Sequence, residues 1–499
     1  MLELVVIALS LLVVYFYWSA NYWARKGVKA PAPLPIVGNM LDYVRARKHY
    51  GQVYQDIYNS FPNAAYVGIY RLFNEPAILV RDSEVLKDVF IKDFQSFRDN
   101  YFLFDKKMDP LLDINPFVAV GDDWKTLRSQ MGSLFTSSKI KTMFPIIYDT
   151  GRKLENYIEK ERKTSLEVKS LCAKYTIEIM ASASFGLEAE TFTNPNSHFT
   201  KHCETVFTSH AWSYIHNMGA NFWLSVSKIF NVPFVPKNMQ EWLLSVIKDA
   251  IENRKLETEA RNDFLEIIRN SKDSSGKPIS MNTVYGHCTS LLLEGFETSS
   301  TTMANCLYEL AENLDVQKKL QAEVDAIYDK YEDKITYEAV AEMAYLDKVM
   351  HETLRMHPPM LATIKKCTET TTFPPQYPSS KPITVPEGSI IVIPILAIHY
   401  DPEIYPQPNA FNPDNFSEEA QAARNKCSFL AFGEGPRICV GQRLGLTQSK
   451  AGIAAILRKF NVRISPKTQV PLQLLPDTFL SNARGGIWID FEPRNNKAA

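Results

Sequence analysis

The sharpest chemical signal in this 499-residue chain is the run Phe429-Leu430-Ala431-Phe432-Gly433-Glu434-Gly435-Pro436-Arg437-Ile438-Cys439-Val440-Gly441. It leads straight into a helical pattern carrying Leu444, Ile453, Ile456 and Leu457. A thiol at such a loop-to-helix junction faces unpaired backbone N–H groups and the positive end of a helix dipole, and both lower its pKa towards thiolate. Gly433, Gly435 and Gly441 let the backbone approach a flat ligand or the sulfur closely, and Arg437 offers a fixed cation. One thiolate ringed by backbone donors is what a haem iron ligated by cysteine requires. As a phosphate cradle the loop fails: Ile438 occupies the third glycine position of Gly-x-Gly-x-x-Gly, and the Lys-Ser/Thr of a phosphate loop is missing. A free nucleophilic cysteine stays open as an alternative.

Three further groupings stand upstream. Glu352-Thr353-Leu354-Arg355 lies in a helical pattern ended by Pro358-Pro359, 87 residues before Cys439. The same spacing at Glu159/Arg162 and Glu266/Arg269 reads as a surface ion pair; only the 352/355 pair directly precedes a proline-rich stretch. Trp124 and Arg128 are four residues apart, which puts both side chains on one helical face. The third is Glu294-Gly295-Phe296-Glu297-Thr298-Ser299-Ser300-Thr301-Thr302, inside a long helical pattern over 280–313. Glycine and competing hydroxyls make a poor helix interior, so a local distortion is expected there. Glu294 is expected to point outwards, the less costly placement of a carboxylate.

Phe432, Gly435, Arg437, Cys439 and Gly441 match, position by position, the Phe-x-x-Gly-x-Arg-x-Cys-x-Gly signature, so the chain resembles the cytochrome P450 monooxygenases. Local phrasing such as Phe-Gly-Glu-Gly-Pro-Arg-Ile-Cys and Glu-Gly-Phe-Glu-Thr-Ser-Ser looks most like insect microsomal members that oxidise xenobiotics or hormones. The resemblance implies haem b (iron protoporphyrin IX) with Cys439 as its metal ligand. Phe432 would shield the sulfur, and Trp124, Arg128, Lys365 and Arg437 would meet the propionates. It makes Glu297 and Thr298 the acid and alcohol of a proton path, and Glu352 with Arg355 a buried ion pair pinning the proline meander. Three positions depart from the family pattern: Asn415 stands where the family usually has Arg, Lys365 where it often has Arg, and Glu294 where it has a small residue. Either Asn415 makes neutral hydrogen bonds or another cation substitutes for the missing arginine.

The implied reaction inserts one oxygen atom from O2 into a lipophilic small molecule, a xenobiotic or an endogenous lipid or hormone. No dinucleotide-binding fingerprint or flavin-type module is visible, so electrons are expected from a separate NADPH-dependent flavoprotein reductase. The resemblance places substrate contacts at 101–117, 207–234, 291–298, after Pro359 and near Thr478 to Ser481. Aromatic residues recur in the first two stretches, among them Phe102, Phe117, Trp212 and Phe234. The rival functions are a haem-thiolate isomerase or dehydratase and a nonenzymatic haem-binding protein.

The elements that must position these residues read as mainly helical. Apolar residues return at three and four over roughly 140–162, 165–185, 237–262, 280–313 and 315–330. Short β-branched runs at Ala64–Tyr70 and Pro76–Val80, with Pro382–Val385 and Ser389–Ile393 as a hairpin, supply a small β lobe. Ten prolines between Pro374 and Pro413 make an irregular meander. The fold class is therefore mainly α with a small β lobe, the cytochrome P450 fold by resemblance. Composition allows a large core: 45% hydrophobic and 22% charged residues. A formal charge of −1 supplies no basic field for nucleic acid. Seven scattered cysteines without a Cys-x-x-Cys pair speak against a disulfide scaffold and a structural zinc site.

Residues 4–24 carry no charge, while Arg25, Lys26 and Lys29 follow, so 1–24 reads as an uncleaved transmembrane signal anchor, with Tyr22 and Trp23 as residues of the membrane interface. A basic and proline-rich hinge over 25–40 and a haem-thiolate catalytic domain over 41–499 complete the expected organisation. The placement that follows is the endoplasmic reticulum membrane, with the catalytic domain cytosolic.

Overall fold

Apolar side chains recurring every three or four residues bury one stripe of each helix in the middle of the chain, and these stripes meet in a single helical core. The computed structural model describes all residues except 208, 210–212, 255–262, 273–275 and 495–499. The helices that matter here are α1 (Leu2–Ala20), α2 (Gly121–Gly132), α3 (Ser137–Glu161), α4 (Val168–Phe185), α5 (Lys237–Arg254), α6 (Met281–Glu312), α7 (Leu314–Lys330), α8 (Ala344–Met356) and α9 (Gln442–Lys459). They match the expected patterns to within a few residues, except that 255–262 lie outside the described residues.

The strands are β1 (Tyr66–Tyr70), β2 (Pro76–Val80), β3 (Asp99–Asn100), β4 (Leu166–Glu167), β5 (Thr363–Lys366), β6 (Thr371–Phe373), β7 (Ile383–Val385), β8 (Ile390–Ile393), β9 (Phe460–Ile464) and β10 (Trp488–Pro493). They form a five-stranded sheet ordered β1-β2-β8-β5-β3, a three-stranded sheet β4-β10-β9 and the pair β6-β7. A second core lies under the five-stranded sheet, giving the mainly α architecture with a small β lobe.

The expected hairpin of Pro382–Val385 with Ser389–Ile393 does not form. β7 pairs with β6, while β8 runs parallel to β2 and antiparallel to β5. All four residues of β8 are buried, which suits an inner strand; β7 alternates buried and exposed, which suits a two-stranded edge.

The expected membrane anchor is corrected: among the described residues, no helix is long and apolar enough to cross a membrane. With it go the membrane-anchored description of the function and the endoplasmic reticulum placement. Glu3 lies in the first turn of α1, so its uncharged part, Leu4 to Ala20, spans roughly 25 Å against the ~30 Å of a hydrocarbon core. The helix stops at Asn21, and the residues beyond it are built into the β lobe. Tyr70 donates its hydroxyl hydrogen to Ala20 O at 2.6 Å, and the Trp23 indole donates to Ile69 O at 2.9 Å. The Trp23 ring packs flush on Gly68, where an added Cβ would come within 2.6 Å of it. The aromatic residue expected at a bilayer interface is thus a core residue, 4% exposed.

Candidate functional site

The loop before α9 carries the one accessible cysteine: Cys439 is exposed, and the other six are buried. Gly435 has φ +69°, and a Cβ there would come within 2.1 Å of Phe90 O, so only glycine allows the loop to lie this close to its neighbour. Cys439 N–H donates to Phe432 O at 2.8 Å, closing the turn, and Gly441 caps α9. The backbone amides of Gly441 and Gln442 and the Arg128 guanidinium favour the thiolate. They do not win. Burial, with the Glu294 carboxylate adding to it, pushes the thiol up to about 11, contrary to the lowered value expected from the helix dipole alone. An accessible sulfur amid such dense surroundings faces a space inside the fold.

Arg128, Lys365 and Arg437 converge on the same space from three elements. Arg128 comes from α2 and has neither a hydrogen bond nor an ion pair among the described residues, and burial lowers its pKa. Lys365, on β5 opposite Asn100 of β3, is 2% exposed; burial, with the nearby Arg437 charge, pushes it down to about 7. Arg437 lies over the Trp124 ring at 4.5 Å and donates to Pro116, Phe117 and Ala119 carbonyls at 3.1, 3.4 and 2.8 Å. Its Nε is buried without a partner, and burial lowers its pKa to about 10. Asp99, 3.4 Å from Arg437, is the carboxylate that meets this group, and it also accepts from Gly121 N–H. Two buried cations, Lys365 and Arg437, and the half-buried Arg128 gather against one carboxylate, and this leaves an excess of positive charge that a dianionic group would balance. The donor set therefore fits haem b: a soft sulfur donor, an orphaned buried guanidinium nitrogen and an unpaired buried ammonium.

Across the space runs α6. It is unbroken through Glu294–Thr302, so the expected distortion is absent. The hydroxyls bond back along the helix instead: Thr298 Oγ1 to Glu294 O at 2.8 Å, Ser300 Oγ to Glu297 O at 2.9 Å and Thr302 Oγ1 to Thr298 O at 2.8 Å. Gln448 of α9 donates to Gly295 O at 3.0 Å and Ser299 Oγ at 2.7 Å, which fixes the rotation of α6. Glu294 and Thr298, one turn apart, share a face. The structure separates the expected acid and alcohol. Glu297 is 4% exposed and ion-paired with Lys169 of α4 at 2.9 Å, whereas the Thr298 hydroxyl lies on the more open side. Glu294 is exposed, as Cys439 is, but to the space inside the fold and not to the outer surface: it acts electrostatically on Cys439 and accepts from Asn115 Nδ2 at 2.5 Å.

Glu352 and Arg355 are both fully buried on α8, joined by two hydrogen bonds of 2.8 Å. Arg355 also donates to His399 O and Pro408 O at 2.9 Å and to Ala410 O at 3.2 Å, while Glu352 Oε1 accepts from Asn412 N–H at 2.9 Å and Asn415 Nδ2 at 3.0 Å. Asn415 thus supplies a neutral donor to the Glu352 carboxylate. Arg424, stacked on Tyr405 and Phe416, donates to Asn415 O.

Sequence reasoning missed four residues of this arrangement: Asn115, Lys169, Asp99 and His399. His399 Nδ1 donates to Arg355 O at 3.0 Å and Nε2 accepts from Leu430 N–H at 2.9 Å, tying the α8 ion pair to the cysteine loop. Burial and the Arg355 charge push it down to about 3, so it is neutral. No local pattern marks these residues; each acts on a partner at least 22 positions away. Over the site, Phe102, Phe117, Phe234 and Phe479 stack edge to face with centroids 5.1–6.1 Å apart. Trp212, also expected there, lies outside the described residues. A recess of about 700 Å³ between α3, α7 and α9 contains none of these residues.

A family model for cytochrome P450 matches residues 28–489. The chain is 36% identical over 507 residues to the probable cytochrome P450 308a1 of Drosophila melanogaster, covering 100% of both chains. It is similar also to the probable cytochrome P450 6a23 of Drosophila melanogaster, 34% identical with 99% of each chain covered. Cytochrome P450 6A1 of Musca domestica is 30% identical, with 98% of this chain and 97% of the relative covered.

Proposed function

The chain belongs to the cytochrome P450 family and is an oxidoreductase of the monooxygenase class, and from that premise we propose that the Cys439 thiolate would ligate the iron of haem b. The observation that carries the assignment is the accessible Cys439 sulfur set among three under-neutralised cations, the half-buried Arg128 and the buried Lys365 and Arg437. Bound there, thiolate-ligated haem supplies the activation of O2 by which one oxygen atom enters the substrate and the other leaves as water.

The chain's own residues do the rest. Arg128, Lys365 and Arg437 would hold the two propionates and so gain the countercharge they lack. The Trp124 ring stacks on the Arg437 guanidinium, and Phe432, whose carbonyl accepts from Cys439 N–H, would cover the sulfur. Thr298 holds a proton on its hydroxyl at the oxygen side. Glu297, held by Lys169 of α4 at 2.9 Å, is turned away from that hydroxyl and ties α6 to α4. The phenylalanine cluster excludes water and favours a lipophilic substrate. Two electrons per turnover come from a separate NADPH-dependent flavoprotein reductase.

The test is spectroscopic. The reduced, CO-bound holoenzyme should show the red-shifted Soret band of thiolate haem, and Cys439→Ser should abolish it together with NADPH- and reductase-dependent O2 consumption on lipophilic compounds. A wild-type-like band in Cys439→Ser would remove the assignment.

A further inference from the structure

Glu294 is a carboxylate inside the molecule without a countercharge. Its hydrogen bond comes from Asn115 Nδ2 at 2.5 Å, a neutral donor, and among the described residues no cation stands within ion-pair distance of it. Asn115 is itself fixed: its Oδ1 accepts from Phe117 N–H at 2.6 Å, and Arg437 holds the Pro116 and Phe117 carbonyls. The Gln448 bonds to Gly295 O and Ser299 Oγ fix α6 from the other side. Neither partner can turn away without breaking these contacts, so the carboxylate is held at the wall of the space that Cys439 faces. Burial raises its carboxyl to about 7, with the Asn115 bond opposing that rise, so a modest favourable interaction is enough to keep it ionised near neutral pH.

The amide of Asn115 satisfies hydrogen bonding but not charge. A carboxylate left in that state, open to the space yet enclosed by the fold, favours a ligand that brings the missing cation, because ion attraction is stronger where water is largely excluded. The neighbouring walls are apolar, with Leu291 one turn back on the same helix and Phe102, Phe117, Phe234 and Phe479 stacked above. A small hydrophilic cation would lose its hydration there without recovering contacts.

We propose that Glu294, positioned by Asn115, is a specificity-determining residue that selects lipophilic molecules carrying a cationic nitrogen. This rests on the assignment of the space between α6 and Cys439 as the substrate site. The ligand's apolar body lies against the phenylalanines, and its charged nitrogen meets Glu294.

The experiment uses a matched pair on the full-length holoenzyme: a phenylalkyl trimethylammonium ion and its neutral tert-butyl isostere. Their size is the same, and the quaternary nitrogen has no lone pair to offer a metal. Dissociation constants come from equilibrium dialysis, with the reduced CO spectrum recorded for every variant as an independent check on haem and thiolate. Wild type should bind the cation at least about tenfold more tightly than the isostere, that being ~1.4 kcal/mol of discrimination. Glu294→Gln, which keeps the shape and the Asn115 contact, should bring that ratio to one or below, and Glu294→Ala should do the same. Equal affinity of wild type for the two compounds overturns the proposal, as does a cation preference that survives in Glu294→Gln. A normal CO spectrum in either case leaves the haem assignment standing; loss of the spectrum in wild type itself would strike that assignment instead.

Discussion

Two groups of buried charge lie on either side of the cysteine loop, and they are built in opposite ways. Around Glu352 and Arg355 every charge is met: carboxylate, guanidinium, four backbone groups and one amide close on one another with both side chains fully buried. Around Arg128, Lys365 and Arg437 positive charge gathers against a single shared carboxylate, with Lys365 unpaired and a guanidinium nitrogen orphaned. The first arrangement has nothing left to bind and serves the fold. The second costs stability in the haem-free chain and repays it only when an anionic group arrives. Buried charge that is balanced marks structure here; buried charge left in deficit marks the ligand.

That contrast can be broken first at its closed end. Glu352→Ala strands Arg355 in the core and should cost about 3–5 kcal/mol, enough to abolish haem incorporation on expression; thermal melting and haem-to-protein ratio read it out. A variant that folds and loads normally would dissolve the distinction. Next is the open end, where the sign should invert. Lys365→Met should stabilise the haem-free protein by ~1–3 kcal/mol while weakening haem retention, measured by denaturant titration of the apoprotein and by haem transfer to an apo-acceptor. Losing stability in both states would show that Lys365 is already paired.

Titration sharpens the same point. The folded pKa of Lys365 is depressed to about 7 from 10.5, so between these values the unfolded chain binds the extra proton. Stability of the haem-free protein should therefore rise with pH across that window, relative to Lys365→Met, and the penalty should be fully present below about 7. A flat difference between the two proteins from pH 7 to 10 would contradict it. The smallest effect belongs to Asn415. Asn415→Ala removes one of several hydrogen bonds on the Glu352 carboxylate, for about 1.5 kcal/mol and a drop of a few degrees in Tm with the CO spectrum intact. A loss as large as that of Glu352→Ala would mean that the amide does the work of a cation.

The misreadings share one cause. Tyr22 and Trp23 read as interface residues because the sequence shows their chemistry but not Gly68, the flat surface prepared for the indole 45 residues later. Glu294 read as outward because an unpaired inward carboxylate is costly, and the amide that offsets part of that cost is 179 residues away. The hairpin failed because Ile390–Ile393 found better burial between β2 and β5 than beside its sequence neighbour. Hydroxyls expected to distort α6 had carbonyls one turn back to satisfy them, and the helix stayed regular.

What the linear order of residues settled was local or periodic: the helix stripes, the glycine-bearing turn before Cys439, the one-turn spacings Glu352/Arg355 and Trp124/Arg128, and from these the family and its chemistry. Such features survive in sequence because the interacting groups lie within a turn or two of one another. Which buried charges are neutralised was decided only in three dimensions. Burial sets the cost of a charge, the distant groups packed around it set the compensation, and neither quantity exists until the chain has closed.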